Sequence, residues 1–233
     1  MSEDPAPPQG IPWRNSKHPL LAQTATQEAF LKRLKDEGIN LRNVLNYADE
    51  EGNTSLHYAI KDRDLPFIDG LIFNGADINK ANNIGITPLH LASDANSLDI
   101  VRYLCEHGAD VSIRGQDGST VLMLACINNN TDMIKYFIGP MDLSVNDKND
   151  AGITPLMLAC ATGNIENVDL LLSRGADVKA VALDGTTALT SAKEGDNKEI
   201  VGRIQSLLVA QKGARRTRRA KKRNTSARRR VRK

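Results

Sequence analysis

The chain has 233 residues, of which 40% are hydrophobic and only 4% aromatic, so its length predicts one or two domains with an aliphatic core. No apolar run reaches the ~18 residues of a membrane-spanning helix, and the acidic, proline-rich start MSEDPAPPQG is unlike a secretory signal. Three cysteines, Cys105, Cys126 and Cys160, are too few for a disulfide framework, which favours a reducing intracellular compartment.

Charge is distributed unevenly along the chain. Residues 211–233 contain 13 Lys or Arg and no Asp or Glu, a charge of +13. The rest of the chain has 18 basic and 28 acidic residues, a charge of −10. The net charge of +3 therefore says little, and the two parts need separate physical accounts.

The first 48 residues divide into a head and a helical segment. Residues 1–20 hold five of the nine prolines and are predicted to be disordered. Residues 26–34 have the apolar spacing of an amphipathic helix, and Leu41, Val44 and Leu45 indicate a second short helix. We expect residues 21–48 to form a helical cap on the part of the chain that follows.

A unit of 33 or 34 residues is then repeated along the chain. Glycine recurs at Gly52, Gly85, Gly118, Gly152 and Gly185, with separations of 33, 33, 34 and 33 residues. Each glycine is followed two residues later by Thr, then by Leu and by Ala, as in Thr54, Leu56 and Ala59. Such self-similarity at a fixed period is the signature of a repeat architecture.

Residues 82–114 show why each unit should fold as a pair of helices. Gly85 suits a tight turn with positive φ, Thr87 is a good N-cap, and Pro88 fits the first helical position. Asn96 can adopt the left-handed conformation that separates the two helices, and Gly108 ends the second helix. Neither ~10-residue helix is stable alone in water, so neighbouring units must bury one another.

The segments GITPLH (85–90), GITPLM (152–157) and GNTSLH (52–57) resemble the ankyrin-repeat signature. This resemblance implies an all-α ankyrin-repeat solenoid of five helix-turn-helix-loop repeats over residues 49–209, with an N-terminal helical cap and disordered termini. The repeats are predicted at 49–81, 82–114, 115–148, 149–181 and 182–209, and the disordered basic tail at 210–233.

Repeats three and five depart from the pattern. Repeat three has Val121-Leu122-Met123 where Pro-Leu-His is typical, ends in 139–142 (Gly-Pro-Met-Asp) instead of Gly-Ala-Asp, and is one residue longer. We therefore predict that repeat three opens more easily than the repeats on either side of it, and we call it the weak joint of the stack. Repeat five should end in a helix with a polar outer face that includes Gln205, as a terminal cap requires.

Histidine and cysteine are the residues that might carry chemistry. His57 and His90 occupy equivalent positions, and could be metal ligands or acid–base groups. In similar repeats this histidine bonds to threonine and fixes the turn, which is the interpretation we favour. Cys126 and Cys160 follow equivalent alanines and are interpreted as compact core residues, with a redox or metal role as the alternative.

No catalytic motif is present in the sequence. There is no glycine-rich phosphate loop, no Gly-x-Ser-x-Gly and no His-Glu-x-x-His. We therefore predict a non-enzymatic chain with no cofactor, metal or small-molecule substrate.

Similar proteins bind protein partners through the hairpin tips and the outward face of each first helix, a concave strip across the repeats. Transferred to this sequence, that strip contains Glu50, Glu51, Asn53, Lys61, Asp62, Asn83, Ile84, Ile86, Asp94, Arg114, Gln116, Asp117, Ser119, Ile127, Asn128, Asp150, Ile153 and Thr162. Its N-terminal end is acidic, and Ile84, Ile86, Ile127 and Ile153 supply apolar side chains. These isoleucines indicate an apolar contact site, with incidental exposure as the alternative.

The basic tail is a second functional signal, and its cations are Arg215, Arg216, Arg218, Arg219, Lys221, Lys222, Arg223, Arg228, Arg229, Arg230, Arg232 and Lys233, besides Lys212. Clusters of this kind are typical of a nuclear-localisation signal, read by a nuclear-import receptor. They also suit RNA or DNA phosphates. Attachment to an anionic membrane is less favoured, because no lipidation motif or apolar anchor accompanies the charge.

Together these features predict an intracellular adaptor or scaffold that binds a protein partner along the strip and is directed to the nucleus rather than the cytoplasm. One alternative is a nucleic-acid-associated factor in which the tail binds RNA or DNA and the repeats recruit a protein. A host-directed ankyrin effector of an intracellular microbe is another.

Overall fold

The computed structural model describes residues 41–210. The predicted head, the predicted helix at 26–34 and the basic tail from residue 211 lie outside the described residues. The short helix expected from Leu41, Val44 and Leu45 is confirmed, since Leu41–Leu45 is helical and the Val44 and Leu45 side chains are buried.

Every regular element among the described residues is a helix. The helices are α1 (Leu41–Leu45), α2 (Ser55–Lys61), α3 (Leu65–Phe73), α4 (Pro88–Asp94), α5 (Leu98–Glu106), α6 (Val121–Ile127), α7 (Thr131–Ile138), α8 (Pro155–Thr162), α9 (Ile165–Ser173), α10 (Ala188–Glu194) and α11 (198–210). One isolated antiparallel bridge joins Val181 and Thr187. The expectation of an all-α fold is confirmed.

The repeated threonine starts the first helix of each pair. Thr87 precedes α4 with extended backbone and its side chain accepts a hydrogen bond from the His90 N–H, which satisfies one of the donors left open at a helix start. Thr120, Thr154 and Thr187 cap α6, α8 and α10 in the same way. The cap predicted at Thr87 is therefore confirmed, and repeat three, which lacks proline, has the same cap.

The turn between paired helices is built on one left-handed residue. That residue is Arg63, Asn96, Asn129, Gly163 or Asp196, always nine positions after the threonine, with φ between 50° and 80°. Gly75, Gly108 and Gly175 take a positive φ after the second helix. Repeat three differs here, because Gly139 has a φ of −101° and Asp142 takes the left-handed conformation instead.

The described residues fall into two compact units, one ending at Asn128 and the other beginning at Asn129. In the first unit, α2 packs on α3, α4 packs on α5, and α4 also packs on both α2 and α6. In the second unit, α8 packs on α9 and α10, and α9 also packs on α7. Within the described residues, no helix has the length and apolar character needed to cross a membrane.

Both cores are mainly aliphatic, as the composition predicts, although Phe137 is fully buried in the second unit. The repeated leucine is almost fully buried as Leu56, Leu89, Leu122 and Leu156, and becomes half-buried as Leu189 in the last repeat. The fifth repeat also exposes Gln205, as predicted for a terminal unit, although Val209 on the same helix is 69% exposed.

An asparagine side chain joins successive loops, and we call this arrangement the amide clamp. The Asn79 side chain donates to the Gly108 carbonyl (3.3 Å) and accepts from the Asp110 N–H (2.8 Å). Asn46 clamps Gly75 and Asp77, and Asn146 clamps Gly175 and Asp177, with the same two bonds. Ser112 occupies this position in repeat two, and its hydroxyl donates to Asp110 in its own repeat.

Candidate partner-binding surface

The hairpin tips of repeats one and two are each held in shape by one side chain at the start of the tip. The Asn82 side-chain oxygen accepts hydrogen bonds from the N–H groups of Ile84 (3.2 Å) and Ile86 (2.9 Å). The Asp49 carboxylate does the same for Glu51 (3.0 Å) and Asn53 (2.8 Å) in repeat one. A tip fixed in this way presents its remaining side chains with little conformational entropy left to lose on binding.

Neighbouring tips of the first unit are in direct contact. The Asn83 N–H donates to the Glu51 carbonyl (3.0 Å), and the Asn83 amide donates to the Glu50 carbonyl (2.8 Å). Where the tip of repeat two meets the tip of repeat three, glycine is required for two reasons. Gly85 has a φ of 72°, and a Cβ there would lie 2.8 Å from the Gln116 nitrogen. In the second unit, the Leu183 N–H donates to the Ala151 carbonyl (2.9 Å) in the equivalent contact.

His57 serves the fold by linking two repeats. Its Nε2 lies 3.1 Å from the Ile86 carbonyl, and since a carbonyl can only accept, Nε2 carries the proton. Nδ1 then accepts from the N–H (3.1 Å) and the hydroxyl (2.9 Å) of Thr54. His90 makes the same contact with Thr87, with 2.8 Å between Nδ1 and the hydroxyl oxygen. The predicted bonding of histidine to threonine is confirmed.

Burial adjusts the ionisation of these core groups. It lowers the pKa of both His57 and His90 from the usual 6.5, so the neutral rings seen in the hydrogen bonding are favoured. It raises the pKa of the Cys126 and Cys160 thiols to about 12. Both thiols are fully buried, which agrees with their interpretation as core residues, and thiols of such high pKa are inert.

Among residues 41–210 there is no cluster of three His, Cys, Asp or Glu side chains that could hold a metal ion.

Thirteen of the 18 predicted strip residues are exposed, and they lie in both units. In the first unit they are Glu50, Glu51, Lys61, Asp62, Asn83, Ile84, Asp94, Arg114, Gln116, Asp117 and Ile127, and in the second unit Asp150 and Thr162. The structure brings the members from repeats one to three together as successive tips and first helices of one unit.

Three polar members of the predicted strip belong to the scaffold instead. Asn53 is buried, donates to Glu51 and accepts from the Asn82 amide, so exposure at this position was predicted wrongly. Asn128 is half-buried, and its amide donates to the Ser93 and Asp94 carbonyls. The half-buried Ser119 donates to Asp117 from its N–H and its hydroxyl, a fixed role that the sequence did not reveal.

The four predicted isoleucines divide into two pairs. Ile84 and Ile127 are 57% and 49% exposed, respectively, as predicted. Ile153 is half-buried and packs against Met157, Ala180 and Ala182, and Ile86 is half-buried as well. Full exposure was therefore predicted wrongly for Ile86 and Ile153, because the residue directly before the capping threonine turns towards the repeat whereas the residue before the tip glycine points to solvent.

Sequence reasoning missed several apolar residues that the structure exposes. In the second unit Leu183 is 83% exposed and Val181 is 52% exposed. Leu183 occupies the tip position of Asn83, so comparing tip positions between repeats would have found it. Phe73 is 87% exposed at the end of α3, where repeat two has Glu106, and no repeat pattern marks it.

Acidic side chains outnumber basic ones in the part of the chain that carries the exposed isoleucines. The described residues contain 23 acidic and 13 basic side chains. On the tip of repeat three, Asp117 accepts from the Ser119 hydroxyl (2.7 Å) and N–H (3.1 Å). The hydroxyl bond is the main reason that the pKa of Asp117 is lowered, so this carboxylate stays charged in a fixed orientation.

Comparison with known families agrees with the geometry. The family described as ankyrin repeats (3 copies) matches residues 20–115 and 110–182, which is more than half of the chain. The chain belongs to the ankyrin-repeat family, whose repeats are protein–protein interaction modules. No curated protein sequence matches it significantly.

Proposed function

We propose that the chain is a non-enzymatic adaptor that binds a protein partner through the tips and first helices of its repeats. The observation that carries this proposal is the exposure of Ile84 and Ile127, 57% and 49%, on elements that the fold holds rigid. An exposed aliphatic side chain on a preorganised tip loses water on binding at little entropic cost. The excess of acidic over basic side chains among the described residues favours a partner segment that is itself basic.

The test replaces both isoleucines in the full chain. Ile84→Ser and Ile127→Ser should each weaken capture of a partner by ~1 kcal/mol or more, as interface anchors do. Phe73→Ser is the matched control, because Phe73 is equally apolar and even more exposed but lies on a second helix. The readout is the amount of each protein recovered with the wild-type and variant chains at matched concentration, alongside their thermal unfolding.

Two results decide this test. Partners lost with both isoleucine variants and retained by Phe73→Ser, with unfolding unchanged throughout, would support the proposal. Partners that bind the double isoleucine variant as tightly as the wild type would place the interface elsewhere.

For the tail, we propose that its basic residues direct the chain to the nucleus through an import receptor. Replacing Arg218, Arg219, Lys221, Lys222 and Arg223 with Gln in the full chain should abolish nuclear accumulation of a fluorescent fusion. The control replaces Lys193 and Lys198, exposed cations of the last repeat, with Gln. Nuclear accumulation of the tail variant at the wild-type level would contradict this role.

The tail's 13 cations without one acidic residue also favour a second candidate function, nucleic-acid binding. Phosphate contacts release counterions, so log K should fall with log [salt] with a slope of about −0.9 per contact for duplex DNA. Titration of the full chain and the tail variant with duplex DNA and with RNA at several salt concentrations separates this function from localisation alone. A tail variant that binds as tightly as the wild type would exclude it.

A further inference from the structure

The residue directly before the tip glycine changes character between successive repeats of the first unit. It is Glu51 in repeat one, Ile84 in repeat two and Asp117 in repeat three, and we call these three residues the tip row. All three are exposed. One aliphatic side chain therefore lies between two carboxylates, with one residue contributed by each tip.

Packing of the repeats sets the spacing of the tip row. The first helices α2, α4 and α6 pack in succession, and packed helices lie about 8–10 Å apart. The tips follow the same spacing because they touch: the Asn83 N–H bonds to the Glu51 carbonyl (3.0 Å), and Gly85 leaves no room for a Cβ beside Gln116. Successive members of the tip row are therefore about 10 Å apart.

The two carboxylates are oriented before any partner arrives. One oxygen of Glu51 accepts from the Asn53 amide (3.0 Å), and both oxygens of Asp117 accept from Ser119. A carboxylate has about four acceptor sites, so each retains capacity for a cation on its exposed side.

From this geometry we infer the kind of segment that the tip row binds: an extended stretch of a partner protein with an aliphatic residue flanked by Lys or Arg three positions before and three positions after it. A polyproline II segment rises about 3.1 Å per residue with three residues per turn, so every third side chain faces the same way at about 9.3 Å. A β-strand repeats every second residue and gives about 6.6 or 13 Å, which does not match one repeat. This inference rests on the proposed function and specifies the chemistry of its partner.

The test uses fluorescent peptides and the full chain. One peptide places a leucine three residues from an arginine on either side, with proline and serine at the other positions. Control peptides of the same composition place the arginines two, four or seven residues away, and seven is the spacing that an α-helical ligand would need. In fluorescence anisotropy, the three-residue spacing should bind ~10-fold or more tightly than every other spacing.

Variants assign each contact. With Ile84→Ser, a peptide with leucine at the central position should bind no more tightly than the same peptide with serine there. In the double variant Glu51→Gln with Asp117→Asn, peptides with arginine should bind no more tightly than peptides with glutamine in its place. The affinity should also depend less on salt concentration. The matched controls are Phe73→Ser and Asp99→Asn, which change an exposed apolar and an exposed acidic residue on second helices and should leave the affinity unchanged.

The outcomes separate this inference from the proposed function. Equal affinity for all spacings, tighter binding of the seven-residue spacing, or no binding of any peptide would overturn the inference. If partner capture still depends on Ile84 and Ile127 in that case, the adaptor function stands with a different ligand. If partner capture ignores both isoleucines, the proposed function fails whatever the peptides do.

Discussion

Repeats two and three begin alike and end differently. Thr87 and Thr120 both cap a seven-residue first helix, although repeat three has Val121 in place of proline and Met123 in place of histidine. Met123 is fully buried, so it fills the histidine's place with apolar volume. The helix start thus tolerates substitution, because the threonine cap and a buried side chain of suitable size are sufficient.

The loops after the second helices differ in structure where their sequences differ, unlike the starts of the first helices. In repeat two, Gly108 has a φ of 94° and the Asn79 clamp holds the loop at Gly108 and Asp110. In repeat three the Gly-Ala-Asp ending is absent, and Gly139 keeps a negative φ. Ser112, the residue that would supply the clamp, bonds within its own repeat. The comparison indicates that the regular repeats gain stability from loop clamps as well as from helix packing.

The largest expected effect tests the helix packing that all repeats share. Leu89→Ala and Leu156→Ala should each lower the free energy of unfolding by ~2–5 kcal/mol, through lost burial and the cavity left behind. Both side chains are 1% exposed. Ile84→Ser is the control and should change the free energy by only about ±0.5 kcal/mol. Denaturant unfolding measures all three, and an isoleucine variant as destabilised as the leucine variants would contradict the assignment of Ile84 to the surface.

A smaller effect would show whether repeat three is the weak joint. Amide hydrogen exchange over residues 128–148 should report an opening free energy about 1–2 kcal/mol below that of repeats two and four, the worth of one or two hydrogen bonds that the regular loops make. Uniform protection across residues 82–181 would exclude a weak joint.

The clamp can also be removed where it exists. Asn79→Ala deletes two hydrogen bonds at an exposed site and should cost about 1 kcal/mol of unfolding free energy, since water partly replaces them. Ser112→Ala, at the equivalent position of repeat two, is the matched control and should cost less because only the bond to Asp110 is lost. Equal losses in the two variants would show that the clamp adds nothing beyond a local turn.

Much of this architecture could be predicted from the sequence, because repetition turns local signals into a pattern. Thr87, Asn96 and Gly108 each act within a few residues, so their roles as cap, turn and stop follow from side-chain chemistry alone. The sequence predicted less accurately which side of the tip each residue faces. Ile86 and Ile153 share the residue type of Ile84, but their orientation depends on packing within the folded repeat. The orientation of Asn53 also depends on the folded structure, because its side chain is buried and accepts a hydrogen bond from Asn82 of the next repeat.

The smallest expected effect concerns pH and again contrasts histidine with methionine. Burial lowers the pKa of His57 and His90 in the folded state, so protonation favours unfolding. The stability that these neutral rings contribute is fully present above the unfolded-state pKa of about 6.5 and is lost as the pH falls below it. Replacing both with Met, the residue at this position in repeats three and four, should make the loss of stability between about pH 7 and 5 shallower. Thermal unfolding across this range measures the difference, and a double methionine variant with the wild-type pH profile would show that other groups, not these two histidines, set the acid sensitivity of the repeats.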